Sequence, residues 1–317
     1  MQRFELGTVT LSPEAATMLR ERGLIVESFL TRHQQGDWGE VNAVRRTINE
    51  KHLQNGAILR SQYSLDEEIA LVIDTAGDRS LTAVRLKSEN SLTETELLEG
   101  YDLWSEFYDR EANPLIETEE PLVEKILEEL YFTNVLDVGT GTGRWAIKLA
   151  QRDAQVTALD QSTGMLAMAK AAAAAQEMEI DFHQLSLTDE FPFQPGQFDL
   201  ITCMLMLSHI DDLTATFTKF HTFLEPTGKL LFSVFHPDAL AFGWRTAFPR
   251  PGTQHGLHNS ANSRADYIKA LVDSGFHILK FLDIPAYQTP PEYLPDLPQP
   301  VNFLNVCMIV LAEKPES

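Results

Sequence analysis

Cysteine and basic residues are scarce in this sequence, and it has no long uncharged apolar run. Of 317 residues, only Cys203 and Cys307 are cysteines. Two isolated cysteines argue against a disulfide framework and a cysteine-built zinc site, and they favour a reducing compartment. No run reaches the roughly 18 apolar residues that a transmembrane helix needs, and the N-terminus lacks a basic-then-apolar signal segment. The sequence therefore predicts a cytoplasmic protein with no membrane partner and no metal.

The shortage of positive charge bears on the partners. Lysine and arginine number 25 against 46 aspartates and glutamates, which gives a net charge of −21. This charge argues against binding to nucleic acid, because phosphate backbones would be repelled. Most of it lies after Thr95, and it peaks between Glu94 and Glu129, where we expect a solvated acidic helical face. A small-molecule partner fits this composition best, and the oligomeric state stays open, a homo-oligomer included.

A domain boundary is expected at the short polar stretch Ser88 to Thr93. It divides the chain into an accessory domain, residues 1–92, and a larger domain, residues 93–317. The accessory domain is predicted to be a small α+β unit. Its expected elements are a helix that begins at Pro13 with Ser12 as N-cap, a helix from Glu40 to Leu53, and strands Ile69–Ile73 and Ser80–Leu86.

The larger domain shows strands that alternate with helical segments, which predicts an α/β fold with a doubly wound, mostly parallel sheet. The predicted strands are Asn134–Val138, Gln155–Leu159, Phe198–Cys203, Lys229–Phe235, His277–Leu282 and Phe303–Leu311.

The most informative segment is VLDVGTGTG, from Val135 to Gly143. An apolar strand ends in Asp137, and three alternating glycines then form a turn whose backbone a ligand can approach closely. Asp160 ends the next strand, where a carboxylate can accept hydrogen bonds from both ribose hydroxyls of a nucleoside. Dinucleotide-binding proteins share this geometry, but Arg144 stands where their third glycine would be.

Together with further motifs in the same order, this segment resembles the class I S-adenosylmethionine-dependent methyltransferases of the ubiquinone/menaquinone-biosynthesis-like group. The motifs cover about 215 residues and are Tyr101-Asp102, Tyr108-Asp109, Phe191-Pro192-Phe193, Phe198 to Ile201, Leu207 to Ile210, and Leu224 to Gly228. The resemblance implies a seven-stranded Rossmann-like methyltransferase sheet, S-adenosyl-L-methionine as cofactor and S-adenosyl-L-homocysteine as product.

The resemblance also implies roles for individual residues. The loop glycines would line the methionine and ribose portion, Asp137 would orient the loop or meet the amino group, and Asp160 would hold the ribose beside Gln161. Leu187 replaces the acid that the family commonly uses for adenine. The implied cofactor-binding residues are Tyr108, Asp137, Gly139, Gly141, Gly143, Asp160, Gln161, Ser186 and Leu187.

Methyl transfer to oxygen or nitrogen of a small molecule benefits from a base near neutral pKa. The candidates are His209, His236 and His258, the last in a predicted loop, Gly252 to Ser263, that would form an acceptor flap with His255. An apolar acceptor pocket would be framed by Trp244, Phe248, Tyr267, Tyr287 and Tyr293. Two alternatives remain: a protein target recruited by the accessory domain, or a non-catalytic cofactor-binding sensor or scaffold.

The accessory domain resembles small bacterial and plasmid-borne proteins of no established activity. The resemblance covers about 80 residues and depends on Arg32-His33, Gly36 to Gly39 and Asp78-Arg79-Ser80. His33, Asp37 and Trp38 could form a polar site, but a structural loop anchored by Trp38 is the favoured interpretation.

Overall fold

A computed structural model of the chain describes residues 2–41, 43–56, 58–66, 68–89, 92–111, 113–289 and 304–316. Tyr293 and the first residue of the predicted strand Phe303–Leu311 lie outside these ranges. Within them, no helix combines the length and hydrophobicity that crossing a membrane requires.

The N-terminal segment forms a four-stranded sheet with helices packed on it. Its elements are β1 (Thr8–Leu11), α1 (Pro13–Glu21), α2 (Val26–Gln34), α3 (Ala43–Asn55), β2 (Leu59–Ser64), β3 (Ala70–Thr75) and β4 (Leu81–Leu86), with strand order β1-β4-β3-β2. The predicted N-cap is confirmed, because the Ser12 side chain accepts a hydrogen bond from the Ala15 backbone N–H. The sequence analysis missed β1, β2 and α2. A separate cluster of apolar side chains from α1, α2 and the sheet forms the core of this segment.

His33 and Trp38 are both buried in this segment. His33 is fully buried between the hydroxyls of Ser61 and Thr75, at 2.5 and 2.8 Å from its Nδ1 and Nε2. Burial lowers its pKa to about 3. The indole N–H of Trp38 donates to Glu50 at 3.0 Å. With both ring nitrogens of His33 engaged and Trp38 buried, this loop is a structural anchor, the interpretation favoured from the sequence.

The larger part contains a seven-stranded sheet with strand order β13-β14-β10-β9-β6-β7-β8. Its strands are β6 (Asn134–Val138), β7 (Gln155–Asp160), β8 (Asp181–Gln184), β9 (Phe198–Met204), β10 (Leu224–Phe235), β13 (His277–Pro285) and β14 (Asn305–Glu313). Only the pairings that involve β14 are antiparallel. The predicted doubly wound sheet is confirmed, with β8 as a strand that the sequence analysis missed.

Helices cover this sheet and complete its two cores. They are α4 (Leu97–Trp104), α5 (Pro114–Leu127), α6 (Arg144–Ala150), α7 (Thr163–Ala175), α8 (Leu213–Phe223), α9 (Pro237–Ala241) and α10 (Arg264–Asp273). Two clusters of apolar side chains pack on opposite faces of the central strands, and Cys203 and Cys307 are buried within them as free thiols. The strand order reverses between β6 and β9, and a crevice is expected at the carboxyl ends of strands at such a point.

A third sheet joins the start of the larger part to its later sequence. It contains β5 (Leu92–Thr95), β11 (Ala247–Arg250) and β12 (Thr253–Leu257), and β5 runs parallel to β12. The predicted flap loop from Gly252 to Ser263 is therefore wrong in its first half, because cross-strand hydrogen bonding makes Thr253–Leu257 a strand. The expected domain boundary at residue 92 falls on the first residue of β5.

The acidic cluster between Glu94 and Glu129 is not simply a solvated face. Glu119 of α5 is fully buried, where it accepts hydrogen bonds from Arg144 at 2.6 Å and from the Trp145 indole at 2.9 Å. Glu124 of α5 forms an ion pair with Lys148 of α6 at 2.5 Å. Part of the negative charge is thus neutralised inside the protein, where it fixes α5 against α6.

Candidate functional site

The glycine turn lies between β6 and α6 and has left-handed backbone at all three glycines, with φ of +68° at Gly139, +56° at Gly141 and +85° at Gly143. A Cβ at Gly139 would come within 2.7 Å of the Met206 side chain, whereas one at Gly141 would meet nothing within 4 Å. Gly139 is therefore required by close packing as well as by φ, and the turn at Gly141 faces open space.

Asp160 holds this turn in place from the end of β7. Its two carboxylate oxygens accept hydrogen bonds from the backbone N–H groups of Gly141, at 2.9 Å, and Ser162, at 2.8 Å. Burial raises its pKa, although the backbone donors act against the shift. Each carboxylate oxygen can accept a further hydrogen bond besides these two.

Asp137 acts beneath the turn. It is buried, and its two oxygens accept hydrogen bonds from the hydroxyls of Thr140 and Thr202, each at 2.6 Å. Burial raises its pKa. Because both oxygens hold threonines of the turn and of β9, Asp137 orients the loop in this geometry, one of the two roles expected for it.

A cavity opens above the turn at the carboxyl ends of β6, β7 and β9. Seven of the nine predicted cofactor residues line it, namely Tyr108, Gly139, Gly141, Asp160, Gln161, Ser186 and Leu187. Asp137 and Gly143 do not line it. The apolar side chains of Met165, Leu185 and Ile210 also line it. The cavity thus has a carboxylate on one wall and an apolar slot beside it.

The two aspartates of the Tyr-Asp pairs hold α4 and the turns that follow it over the cavity. Asp102 accepts hydrogen bonds from the Ser162 hydroxyl at 2.5 Å and from the Gly164 N–H at 3.0 Å. Asp109 accepts one from the Thr142 hydroxyl at 2.7 Å. These contacts place Tyr101 on the cavity wall. The sequence analysis quoted both pairs but assigned only Tyr108 to the site.

His209 is the one predicted catalytic histidine that lines this cavity. Its Nδ1 lies 2.5 Å from the His258 carbonyl oxygen and its Nε2 lies 2.8 Å from the Tyr101 hydroxyl. Since a carbonyl only accepts, Nδ1 donates and Nε2 accepts the tyrosine proton. Burial lowers the pKa of His209 to about 4, so the ring is neutral at pH 7 and closes the cavity with Tyr101.

The other two histidines lie elsewhere. His236 is buried as the N-cap of α9, where its Nδ1 accepts from the Asp238 N–H at 3.0 Å. The side chain of His258 is half exposed and lies 3.2 Å from Asp211. The structure therefore does not bring the three imidazole rings together, and His258 reaches His209 only through its backbone carbonyl. No group of three metal-ligating side chains lies together in the described part of the chain.

A second cavity of about 320 Å³ lies beside the first, and Tyr108 lines both. The N-terminal segment contributes Arg45, His52 and Arg60 to its wall, and the larger part contributes Trp104, Glu111 and Trp244 among others. Except for Trp244, the sequence analysis missed these residues, because they are far apart in sequence and match no motif.

Three other aromatic residues predicted to frame an acceptor pocket, Phe248, Tyr267 and Tyr287, do not line this cavity. Phe248 is buried and stacks on Trp104 with ring centroids 5.0 Å apart, and Tyr267 is a buried core residue whose hydroxyl donates to the Leu207 carbonyl at 3.1 Å. Tyr287 is exposed.

Comparison with known proteins identifies the central part of the chain. Residues 135–228 match the family model described as a methyltransferase domain. The ubiquinone biosynthesis O-methyltransferase of Xanthomonas euvesicatoria is 32% identical over 158 residues, which are 50% of this chain and 59% of the relative. That of Azotobacter vinelandii is 34% identical over 141 residues, 43% of this chain and 60% of the relative. The chain spans about three fifths of the length of these relatives.

Solved structures show the same fold. A Listeria monocytogenes protein assigned as an S-adenosylmethionine dependent methyltransferase superposes with a TM-score of 0.53 at 24% identity, over 64% of this chain and all of that one. The (4+2)-cyclase SpnF superposes with a TM-score of 0.52 at 18% identity, over 72% of this chain and all of that one. Residues 135–228 therefore match a methyltransferase domain, and the larger part of the chain has the fold of these solved structures.

Proposed function

We propose that the protein transfers the methyl group of S-adenosyl-L-methionine to an oxygen atom of a small molecule. The observation that carries the proposal is Asp160, whose carboxylate is tied to the open glycine turn at Gly141 and borders the cavity at the carboxyl end of β7. The match of residues 135–228 to a methyltransferase domain supports the cofactor. The names of the curated relatives support oxygen as the attacked atom.

The donor groups of the first cavity suit the nucleoside part of this cofactor. Asp160 can accept hydrogen bonds from two ribose hydroxyls, and an adenine ring fits between apolar side chains such as Leu187 and Ile210. The backbone turn at Gly141 leaves room for the sulfonium and methionine portion, since nothing lies within 4 Å of that position's missing Cβ. Ser186 and Gln161, which also line the cavity, would contact the adenine edge.

When bound, the cofactor supplies a methyl group on a positively charged sulfur, so the protein's task is positioning and exclusion of water. Tyr101 and His209, joined at 2.8 Å, cover the cavity on one side. Because the lone pair of His209 Nε2 is used by Tyr101, we assign His209 to closing the site rather than to proton removal. His236 and His258 have structural contacts and no position on the cavity.

The proposal is tested by incubating the full-length protein with S-adenosyl-L-methionine and a panel of phenols and other hydroxyl compounds. Mass spectrometry would follow S-adenosyl-L-homocysteine and the methylated product together. We expect stoichiometric formation of both with at least one acceptor. Binding of the cofactor without turnover on any acceptor would favour the sensor or scaffold alternative, and no binding at millimolar concentration would overturn the proposal.

A further inference from the structure

The second cavity is built jointly by the two parts of the chain. Arg45 and His52 lie on α3, Arg60 lies on β2, and Trp104, Glu111 and Trp244 face them from the larger part. Its volume, about 320 Å³, falls in the range of small-molecule sites. Since Tyr108 lines both cavities, the second one borders the proposed cofactor site directly.

This cavity carries positive charge in a protein whose net charge is −21. Arg60 is fixed by Asp74, which accepts from its Nε at 2.6 Å and its Nη2 at 3.0 Å. Arg85 lies 3.7 Å from the same carboxylate, so two arginines, Arg60 and Arg85, share Asp74. Arg45 is a further arginine on the cavity wall. A guanidinium held against a cavity is suited to bidentate recognition of a carboxylate.

His52 adds an unsatisfied acceptor to the same wall. It is 95% buried, and its Nδ1 lies 2.6 Å from the Ile58 carbonyl oxygen, so Nδ1 donates. Its Nε2 is buried and has no hydrogen-bond partner. A buried acceptor without a donor is costly, and a hydroxyl on a bound molecule would satisfy it.

The opposite wall is aromatic, with Trp104 and Trp244, and it includes Glu111. Burial raises the pKa of Glu111 to about 7, although the Trp104 N–H and Arg45, Arg60 and Arg250 oppose the shift. Among the described residues that line the cavity, Glu111 is one carboxylate facing three arginines, Arg45, Arg60 and Arg245. The cavity therefore combines flat apolar surface, cationic groups and a hydroxyl acceptor.

We propose that the second cavity is the acceptor site, with part of its wall supplied by the N-terminal segment, and that it takes an aromatic hydroxy acid whose carboxylate lies against Arg45 and Arg60. Its assignment as the acceptor site rests on the proposed methyl transfer, whereas its binding chemistry stands on the cavity alone. The N-terminal segment thus selects the substrate.

Binding of a matched pair of probes to the full-length protein tests this without any methyl donor. The probes are 4-hydroxyphenylacetate and the neutral 4-hydroxyphenylacetamide, measured by isothermal titration and by quenching of tryptophan fluorescence. We expect the acid to bind at least tenfold more tightly than the amide. In Arg45→Met this preference should fall to less than threefold, and Arg45→Lys should retain most of it because the charge remains.

Arg46→Met is the matched control, since Arg46 is an exposed neighbour on α3 that donates to the Gly39 carbonyl at 2.9 Å and does not line the cavity. It should leave both affinities unchanged. Thermal unfolding of each variant checks the fold. If Arg45→Met does not fold, His52→Phe takes its place. His52→Phe should weaken the binding of both probes equally. Equal binding of acid and amide to the wild type, or a preference that survives Arg45→Met, would overturn the proposal, whatever the outcome of the methyl-transfer assay.

Discussion

Replacement of Asp160 by alanine tests the proposed cofactor site most directly. The substitution removes the one carboxylate that borders the cavity at the end of β7 and leaves the N–H groups of Gly141 and Ser162 without their acceptor. Asp160 is partly exposed and lines the cavity, so water can replace the carboxylate at these donors. We therefore expect a loss of stability of about 1 kcal/mol, small enough for the variant to fold.

The effect on cofactor binding should be larger. A hydrogen bond to a charged group contributes about 1.5–3 kcal/mol, and the ribose offers two hydroxyls to this carboxylate. A loss of about 3 kcal/mol corresponds to a Kd roughly 150-fold higher at 25 °C. Asp160→Asn keeps one amide oxygen as an acceptor and should raise the Kd roughly tenfold.

Isothermal titration with S-adenosyl-L-homocysteine measures these changes. Asp181→Ala is the control, because the Asp181 side chain is 71% exposed and lies at the amino end of β8, whereas Asp160 lies at the carboxyl end of β7. Adenosine and 2′-deoxyadenosine then separate direct contact from a disturbed loop. The wild type should bind adenosine more tightly than 2′-deoxyadenosine, whereas Asp160→Ala should bind the two alike. This is the result expected if the carboxylate and the 2′-hydroxyl interact directly. A Kd for Asp160→Ala within threefold of the wild type, or an unchanged preference for adenosine, would refute the ribose contact.

Three further predictions concern other parts of the molecule. Tyr101→Phe removes the hydroxyl that closes the cavity against His209, so we expect faster release of S-adenosyl-L-homocysteine in stopped-flow experiments, at least threefold; an unchanged rate would show that this contact is no barrier. Deletion of residues 1–91 keeps β5 and should leave the affinity for that ligand within threefold by titration, and a truncated protein that cannot fold or bind would show that the two parts share a core. Burial holds the pKa of His33 at about 3, below its ordinary value near 6.5. Between these two pH values the unfolded chain binds a proton that the folded chain does not. The free energy of unfolding should therefore fall as pH drops from 6.5 towards 3, by up to about 1.4 kcal/mol per pH unit. Denaturant titrations should show a shallower pH slope in His33→Gln, and an identical slope would contradict a neutral buried ring.

The proposed cofactor half of the site was predictable because its determinants are local in sequence. A turn that must adopt positive φ needs glycine, and Gly139, Gly141 and Gly143 therefore mark it in the sequence. Parallel strands end at the same edge of a sheet, so Asp160 could be placed beside that turn from strand prediction alone. Seven of the nine residues that the family resemblance implied line one cavity in the folded chain.

The histidines show the limit of that reasoning. Each follows a strand end, but strand position does not reveal what a side chain contacts. Tertiary packing buries His236 as a helix cap and engages both nitrogens of His209 with Tyr101 and a backbone carbonyl.

The sequence by itself determined the class of fold, the cofactor loop and the uneven charge, because each is written in contiguous or regularly spaced residues. Tertiary structure alone decided which acids are buried and which groups share the second cavity. Arg45 comes from α3, Arg60 from β2 and Glu111 from the turns between α4 and α5, and no spacing in the chain predicts that they line one cavity. The reason is physical: a loop or strand is set by neighbours in sequence, whereas a pocket between two parts is set by how their surfaces pack.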